Sequence, residues 1–519
     1  MRLEVGITHL LPEWEIIIQQ IGLPFEIITL NESILTDQFS VIIVTRREAK
    51  FQKDVLLHYF NSGGSILTEA DVAEWLFNID TVLAYVGTIE ADDDPIYNGI
   101  LPGFIQTKLL LPRKAEMLAS WPGRKLAQIY TSGKGMAIIL PGGFSKTTLD
   151  IHVGRRNFPT RVLTLPSERV TWRSKHTIRE VIQKSVEHLH FVRQLPYLSL
   201  FPFPNEKQSI FNFRIDTDFA SEEEIDSVYQ LCLNHDISAT WFVETKSAEN
   251  RMKQFARMHN QEIGLHCYNH KVAHNYSINQ SDINTGIKIL NKANIPFCGY
   301  AAPYGEWNIS LANAMEEADF TYSSEFTLDY DNLPFYPYLN NRFSSVLQVP
   351  IHPICLGRLK NAHHNEDDII NYYKDVIRER IDHNLPIFIY DHPSRGNVKN
   401  INWLLQYIRQ IDIPIYSFRD YAQWWKKKLE IKWFPRFHND KINIQWEHSN
   451  SPIYLLVKKS PQESSIIKLD GNINLLELTW KKEKIPDKLA TPMAIRLKRN
   501  RKMLFNDILY FYRRLKQCK

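Results

Sequence analysis

Phe211–Asp218 (FNFRIDTD) opens the most informative part of this 519-residue chain. Phe211, Phe213 and Ile215 alternate with Asn212, Arg214 and Asp216, the two-residue period of a strand with one face buried. The strand delivers Asp216 and Asp218 at its end, where a chain normally turns. Further on, Gln261–Leu265 (QEIGL) forms a second short strand that ends at His266, with His270 one helical turn later. An Asp with two His spaced H-x-x-x-H makes a three-ligand divalent-metal site with a position open for water. The neighbouring Asp, not needed as a ligand, is free to act as a base.

Around this centre the composition is that of an ordinary soluble globular protein: 44% apolar, 23% charged, with a net charge of +4. The length predicts two to four domains. Met1–Leu11 lacks a basic segment followed by a long apolar run and does not read as a signal peptide. No apolar segment approaches the roughly 20 residues of a membrane span. The five cysteines are scattered, so free thiols in a reducing cytoplasm are expected rather than a disulfide framework.

In chain order, residues 1–195 read as a parallel-sheet α/β domain. Phe39–Val44 is a continuous apolar run and Phe51–Asn61 has helical spacing. Gly63-Gly64 stops that helix before a strand at Ser65–Leu67, and Met136–Leu140 reads as another buried strand. The layout resembles the class I glutamine-amidotransferase fold. That family needs a cysteine nucleophile and the chain has none before Cys232, so the expectation is a supporting or carbohydrate-contacting domain. Thr177–Arg193 is an amphipathic helix and Leu195–Pro204 a proline-punctuated linker. Residues 205–428 alternate strands (Ala239–Val243, Leu385–Tyr390) with helices (Asn250–Met258, Glu366–Arg380), predicting a second α/β domain with its ligand site at the carboxyl ends of the strands. Residues 429–490 carry short strands, Leu475–Trp480 among them, and read as a small antiparallel β domain. Residues 491–519 form a basic amphipathic tail.

The second domain resembles the polysaccharide deacetylase family (carbohydrate esterase family four), over residues 211–425. Arg214-Ile215-Asp216-Thr217-Asp218 matches the family's first motif and Glu262–His266 with His270 the second. Ala239-Thr240-Trp241-Phe242 matches the strand between them, Ala301-Ala302-Pro303-Tyr304-Gly305 the third motif, and Ile387–His392 the fifth. The resemblance implies a distorted β/α barrel and metal-dependent hydrolysis of N-acetyl groups on sugars. It also implies roles: Asp218, His266 and His270 as metal ligands, Asp216 as general base, the Tyr304 N–H at the oxyanion and His392 as general acid. Zinc is the default for such a ligand set, with cobalt, nickel or manganese as alternatives.

Each assignment has a plainer counterpart. Surface histidines at a polar loop end would look similar, although two at this spacing with an Asp upstream are rarely accidental. His274 extends the H-x-x-x-H series and reads as a supporting or solvated residue, while Cys267 reads as a small buried side chain. His352, at the end of another strand, competes with His392 and is expected to touch substrate or support the site. Two departures from the family stand out. Ala301 occupies the place of the third motif's arginine, so Arg214 or Arg342 must orient the base or the base is poorly poised. The fourth motif is not evident, and Ser324–Pro334 lies where it should be.

The function expected is therefore a metal-dependent hydrolase removing N-acyl groups, most simply N-acetyl, from an amino sugar of a polysaccharide or its precursor. An inactive carbohydrate-binding protein of the same fold, and a metal amidase or deformylase acting on a small non-glycan amide, are the alternatives. Pro492–Lys519 reads either as a solvated helix or as a peripheral contact to an anionic membrane surface, which would place the protein in the cytoplasm against the membrane. Nucleic acid is not expected, because no recognition motif accompanies the tail and the rest of the chain is near charge balance.

Overall fold

The computed structural model describes residues 1–30, 34–91, 94–162, 164–393, 397–447 and 451–485, together with Phe505, Ile508 and Tyr512. The basic stretch 492–519 lies outside these, apart from Phe505, Ile508 and Tyr512, which are helical and exposed. Among the described residues no helix is long and apolar enough to cross a membrane. The chain divides into two compact units, one built from Met1–Asp150, Arg173–Glu206 and Trp424–Asp487, the other from Ile151–Trp172 and Lys207–Gln423.

The first unit holds a nine-stranded mixed sheet. Its parallel half runs Phe25–Ile27, Val5–Ile7, Val41–Val44, Ser65–Glu69, Gly135–Leu140. The other half, Arg124–Ser132, Met117–Trp121, Thr81–Glu90, Gly103–Pro112, is antiparallel. The sheet is thus not the wholly parallel one expected from the sequence. Turns as short as Gly133-Lys134 between neighbouring strands leave no room for a crossover, so those strands must run antiparallel. Two local expectations also change. Tyr197–Leu200, inside the expected linker, is a fully buried strand paired with Tyr454–Ser460. Leu475–Trp480 is not a strand: Asn474 accepts from Leu476 N (3.2 Å) and donates to Glu477 (2.6 Å), turning the chain between short strands at Asn472–Asn474 and Lys481–Lys482.

The second unit is organised by a seven-stranded sheet in which every pairing is parallel. Its order is Leu347–Gln348, Tyr322–Ser323, Gly299–Tyr300, Glu262–Cys267, Thr240–Glu244, Phe211–Asp216, Ile387–Asp391. The sheet stays open, a half-barrel rather than a closed one. Parallel pairing places the carboxyl ends of all seven strands along one edge. The Phe211–Asp216 strand is buried on both faces, unlike the half-exposed strand expected. Its alternation separates an apolar face from a polar face crossed by hydrogen bonds. Asn212 donates to Thr240 Oγ1 (3.1 Å), Thr240 to Glu262 (2.9 Å), and Tyr322 OH to Glu262 (2.6 Å), a chain of contacts across neighbouring strands.

Helices on this unit carry clear start signals. Ser221 and Glu224 close a capping box on Glu222–Asn234, Asn365 and Asp368 another on Glu366–Asp382, and Asn275 caps Tyr276–Lys292. The helix expected over 250–258 is instead a 3-10 turn, Glu249–Arg251, followed by the short helix Met252–Ala256. An antiparallel hairpin, Val153–Asn157 with Ser167–Thr171, also belongs to this unit. Arg161 at its tip makes a two-pronged contact with Asp375 (2.6 and 2.7 Å), and Arg156 donates to Tyr330 OH (2.9 Å).

Gly264 lies in the strand that leads to His266. A Cβ there would come within 2.7 Å of the Phe242 ring and 2.9 Å of the Gly299 carbonyl oxygen. The backbone oxygen of a paired strand cannot move aside cheaply. Gly264→Ala is expected to destabilise the protein by about 1–3 kcal/mol, seen as a lower midpoint in chemical denaturation. An unchanged midpoint would show that the strands have slack at this point.

Candidate metal centre and active site

Asp218 follows its strand by two residues and takes φ 39°, in the left-handed region. His266 lies within the last turns of the Glu262–Cys267 strand, and His270 sits in the next loop at φ 48°. Asp282 shapes that loop by accepting from Tyr268 N (2.9 Å) and Asn269 N (2.8 Å). The result is convergence: Asp218 Oδ1 lies 3.2 Å from His266 Nε2 and 3.1 Å from His270 Nε2. His266 Nδ1 stands 2.6 Å from the Ala301 carbonyl oxygen, so it donates there and turns the Nε2 lone pair toward Asp218. Burial would raise the Asp218 carboxyl, but the His266 and His270 imidazoles packed against it hold it well below the usual carboxylate range. Two imidazole nitrogens and a low-pKa carboxylate, all aimed at one point, fit a divalent metal ion.

Next to this triad, Arg214 grips Asp216 with both ends of its fork, Nε to Oδ1 and Nη2 to Oδ2, each at 2.7 Å. Arg214 is fully buried, with its guanidinium 5.2 Å from the Phe242 ring and 5.4 Å from the Tyr390 ring. Its Nη1 donates to the Ser324 carbonyl at 2.5 Å. Burial pushes the Asp216 carboxyl up, and the Arg214 charge outweighs this and lowers it. Of the two arginines the sequence offered in place of the one missing at Ala301, Arg214 is the one that contacts Asp216. Arg342 is on the surface, paired with Glu316 at 2.6 Å. Glu325, beneath the triad, accepts from Ala302 N (3.1 Å), and burial raises its carboxyl to about 7.

His392 ends the Ile387–Asp391 strand with Nε2 at 3.4 Å from Asp218 Oδ2. Its Nδ1 is 3.8 Å from Asp391 Oδ1, and among the described residues neither atom has a hydrogen-bond partner. Burial opposes a charged imidazole here, but Asp391, Cys355 and Asp218 outweigh it and push His392 up to about 10. His352 is elsewhere: its ring nitrogens meet Asp331 (3.1 Å) and Tyr372 OH (2.9 Å), and it does not line the cavity described next. His274 faces Glu306 at 3.9 Å, outside the triad, and Cys267 is fully buried.

Triad, Asp216 and His392 share one small cavity of about 50 Å³. Tyr304 stands on its rim at φ 60° and ψ 15°, a backbone conformation rare outside glycine. Asp218, His270 and Tyr304 thus all hold left-handed backbone. The cavity also contains side chains that sequence reading passed over: Cys355, Arg358 and Glu168. Asp391 stood beside His392 in the sequence and was within reach of inspection. Glu168 was not, because it arrives on the hairpin, far upstream of the strands that build the site.

Residues 215–323 match the family model described as polysaccharide deacetylase. Over this segment the chain is similar to the polysaccharide deacetylase family. Solved structures similar to the chain include the peptidoglycan deacetylase of Bacillus subtilis, at 12% identity and TM-score 0.31, covering 44% of this chain and 95% of that one. A CE4 family pseudoenzyme from Bacillus anthracis aligns at 13% identity and TM-score 0.31, covering 52% and 90%. A family 4 carbohydrate esterase from Streptomyces lividans aligns at 13% and 0.28, covering 41% and 92%. A search of the curated proteins finds no match.

The deacetylase segment supplies all three metal-binding candidates, which makes metal content a direct check. Purified protein is expected to carry one tightly held divalent ion per chain by elemental analysis. His266→Ala/His270→Ala should lose it and His274→Ala should keep it. Metal retained in the double variant would show that the ligands lie elsewhere.

Proposed function

We propose that the protein is a metal-dependent hydrolase that removes N-acyl groups, most simply N-acetyl, from an amino sugar of a polysaccharide or its precursor. The observation that carries this reading is the buried, two-pronged Arg214–Asp216 pair directly beside the Asp218–His266–His270 triad. A protein that only bound sugar would need no ionised, oriented carboxylate in a buried cavity next to three convergent ligands. The pair also answers the departure at Ala301, since the base is held by an arginine from its own strand.

A divalent ion on the triad would polarise the acyl carbonyl and make a neighbouring water more acidic, with zinc the best match to the ligand set and cobalt, nickel or manganese also accepted. Asp216, fixed by Arg214, takes a proton from the attacking water as its oxygen bonds to the acyl carbon. The Tyr304 N–H donates to the carbonyl oxygen as charge collects there. His392 gives a proton to the sugar nitrogen as the carbon–nitrogen bond breaks. One water is consumed, and a carboxylate and a free amine are released.

Acetate release from N-acetylglucosamine oligomers by the metal-loaded full-length protein tests the reading. Asp216→Asn should lower kcat by about 100-fold or more with metal retained. Undiminished turnover in Asp216→Asn would rule out this base. Sugar binding without turnover would identify an inactive carbohydrate-binding protein, and turnover confined to small amides a metal amidase.

A further inference from the structure

The hairpin at Val153–Thr171 brings a carboxylate, Glu168, into the wall of the catalytic cavity. Glu168 is buried, accepts from Arg169 N at 2.8 Å through one oxygen, and pairs through the other with Arg358 Nε. Arg358 projects from the short helix Leu356–Asn361 into the same cavity. Its side chain stays about one-third exposed, at 32%. Only Nε is used by Glu168; among the described residues the two terminal nitrogens have no hydrogen-bond partner. The hairpin is held firmly enough to position this contact, by Arg161 on Asp375 and Arg156 on Tyr330.

Two physical points follow. A cavity of about 50 Å³ takes an acyl group but not a sugar ring, so the ring must lie at the mouth, where Phe219 and Tyr304 are 64% and 57% exposed. An arginine whose charge is already balanced by a buried carboxylate offers directed N–H donors without excess charge. Such donors suit hydroxyl or carbonyl oxygens of an uncharged sugar better than a carboxylate, which would also face Glu168.

We propose that Arg358, oriented by Glu168, is a substrate-binding residue that donates its terminal N–H groups to oxygens of a neutral N-acyl hexosamine. This rests on the deacylation reading and assigns that site a specificity residue contributed jointly by the hairpin and the half-barrel.

The test compares wild type, Arg358→Ala, Arg358→Lys and Glu168→Gln, all full-length and metal-loaded, on the N-acetylglucosamine tetramer and on the same oligomer bearing a carboxylate substituent. For the neutral tetramer Arg358→Ala should raise KM about tenfold, with the effect concentrated in KM rather than kcat. Arg358→Lys should not restore it, because a point charge lacks the planar fork. Glu168→Gln should raise KM in the same direction by a smaller factor and relax discrimination against the carboxylate-bearing sugar. Unchanged melting temperature and metal content in each variant separate these effects from misfolding. A wild-type KM in Arg358→Ala, or a wild-type preference for the carboxylate-bearing oligomer, overturns the proposal. If wild type hydrolyses neither sugar, the deacylation reading fails by itself, and equilibrium dialysis with the neutral tetramer still judges Arg358. About tenfold weaker binding in Arg358→Ala supports it; equal binding, or none in wild type, overturns it.

Discussion

A guanidinium and a carboxylate buried together at the end of a strand set the terms for the rest of this active site. Burying either charge alone would be prohibitive, and burying both is tolerable only with near-ideal geometry. Arg214 and Asp216 achieve it because they lie two residues apart on one strand face, so their side chains point the same way. Phe242 and Tyr390 on the two neighbouring strands close over the guanidinium, and the Ser324 carbonyl takes its remaining direction. The carboxylate is thereby kept ionised in a place where desolvation alone would favour its neutral form. The same local arrangement gives Asp216 an arginine partner without one at Ala301, which is fully buried and accepts from His266 through its carbonyl.

Parallel strand pairing does the remaining work of assembly. Because all seven strands of the half-barrel sheet run one way, Asp216, His266 and His392 are delivered to a common edge although they are widely separated in the chain. Loops then supply Asp218, His270 and Tyr304, each in left-handed backbone that the surrounding contacts hold in place. Gly264, two residues before His266, leaves the room that the Phe242 ring and the Gly299 carbonyl occupy.

Much of this was legible in the sequence. The H-x-x-x-H spacing after a strand located His266 and His270, and the Arg214–Asp216 spacing foretold the pair that forms. The limits have physical causes. Alternation along Phe211–Asp216 predicts a buried and a solvated face, but a polar face can be buried when its side chains bond across the sheet, as Asn212 Nδ2 does to Thr240 and Thr240 to Glu262. His352 ends a strand as His392 does, and only three-dimensional contacts with Asp331 and Tyr372 separate their surroundings. Glu168 had no local signature at all, since its place in the cavity depends on where a distant hairpin docks. The mixed sheet of the first unit was hidden because a strand's own pattern does not record its partner's direction.

The central claim is that Arg214 performs the orienting task for which residue 301 carries no side chain. It is tested most directly by measuring kcat for deacetylation in Arg214→Met and in Arg214→Met/Ala301→Arg, with folding and metal content monitored in both. Arg214→Met should lower kcat by about 100-fold, and the added arginine at 301 should recover at least about tenfold of that loss. A single variant with wild-type kcat, or a double variant no better than the single one, would contradict the account.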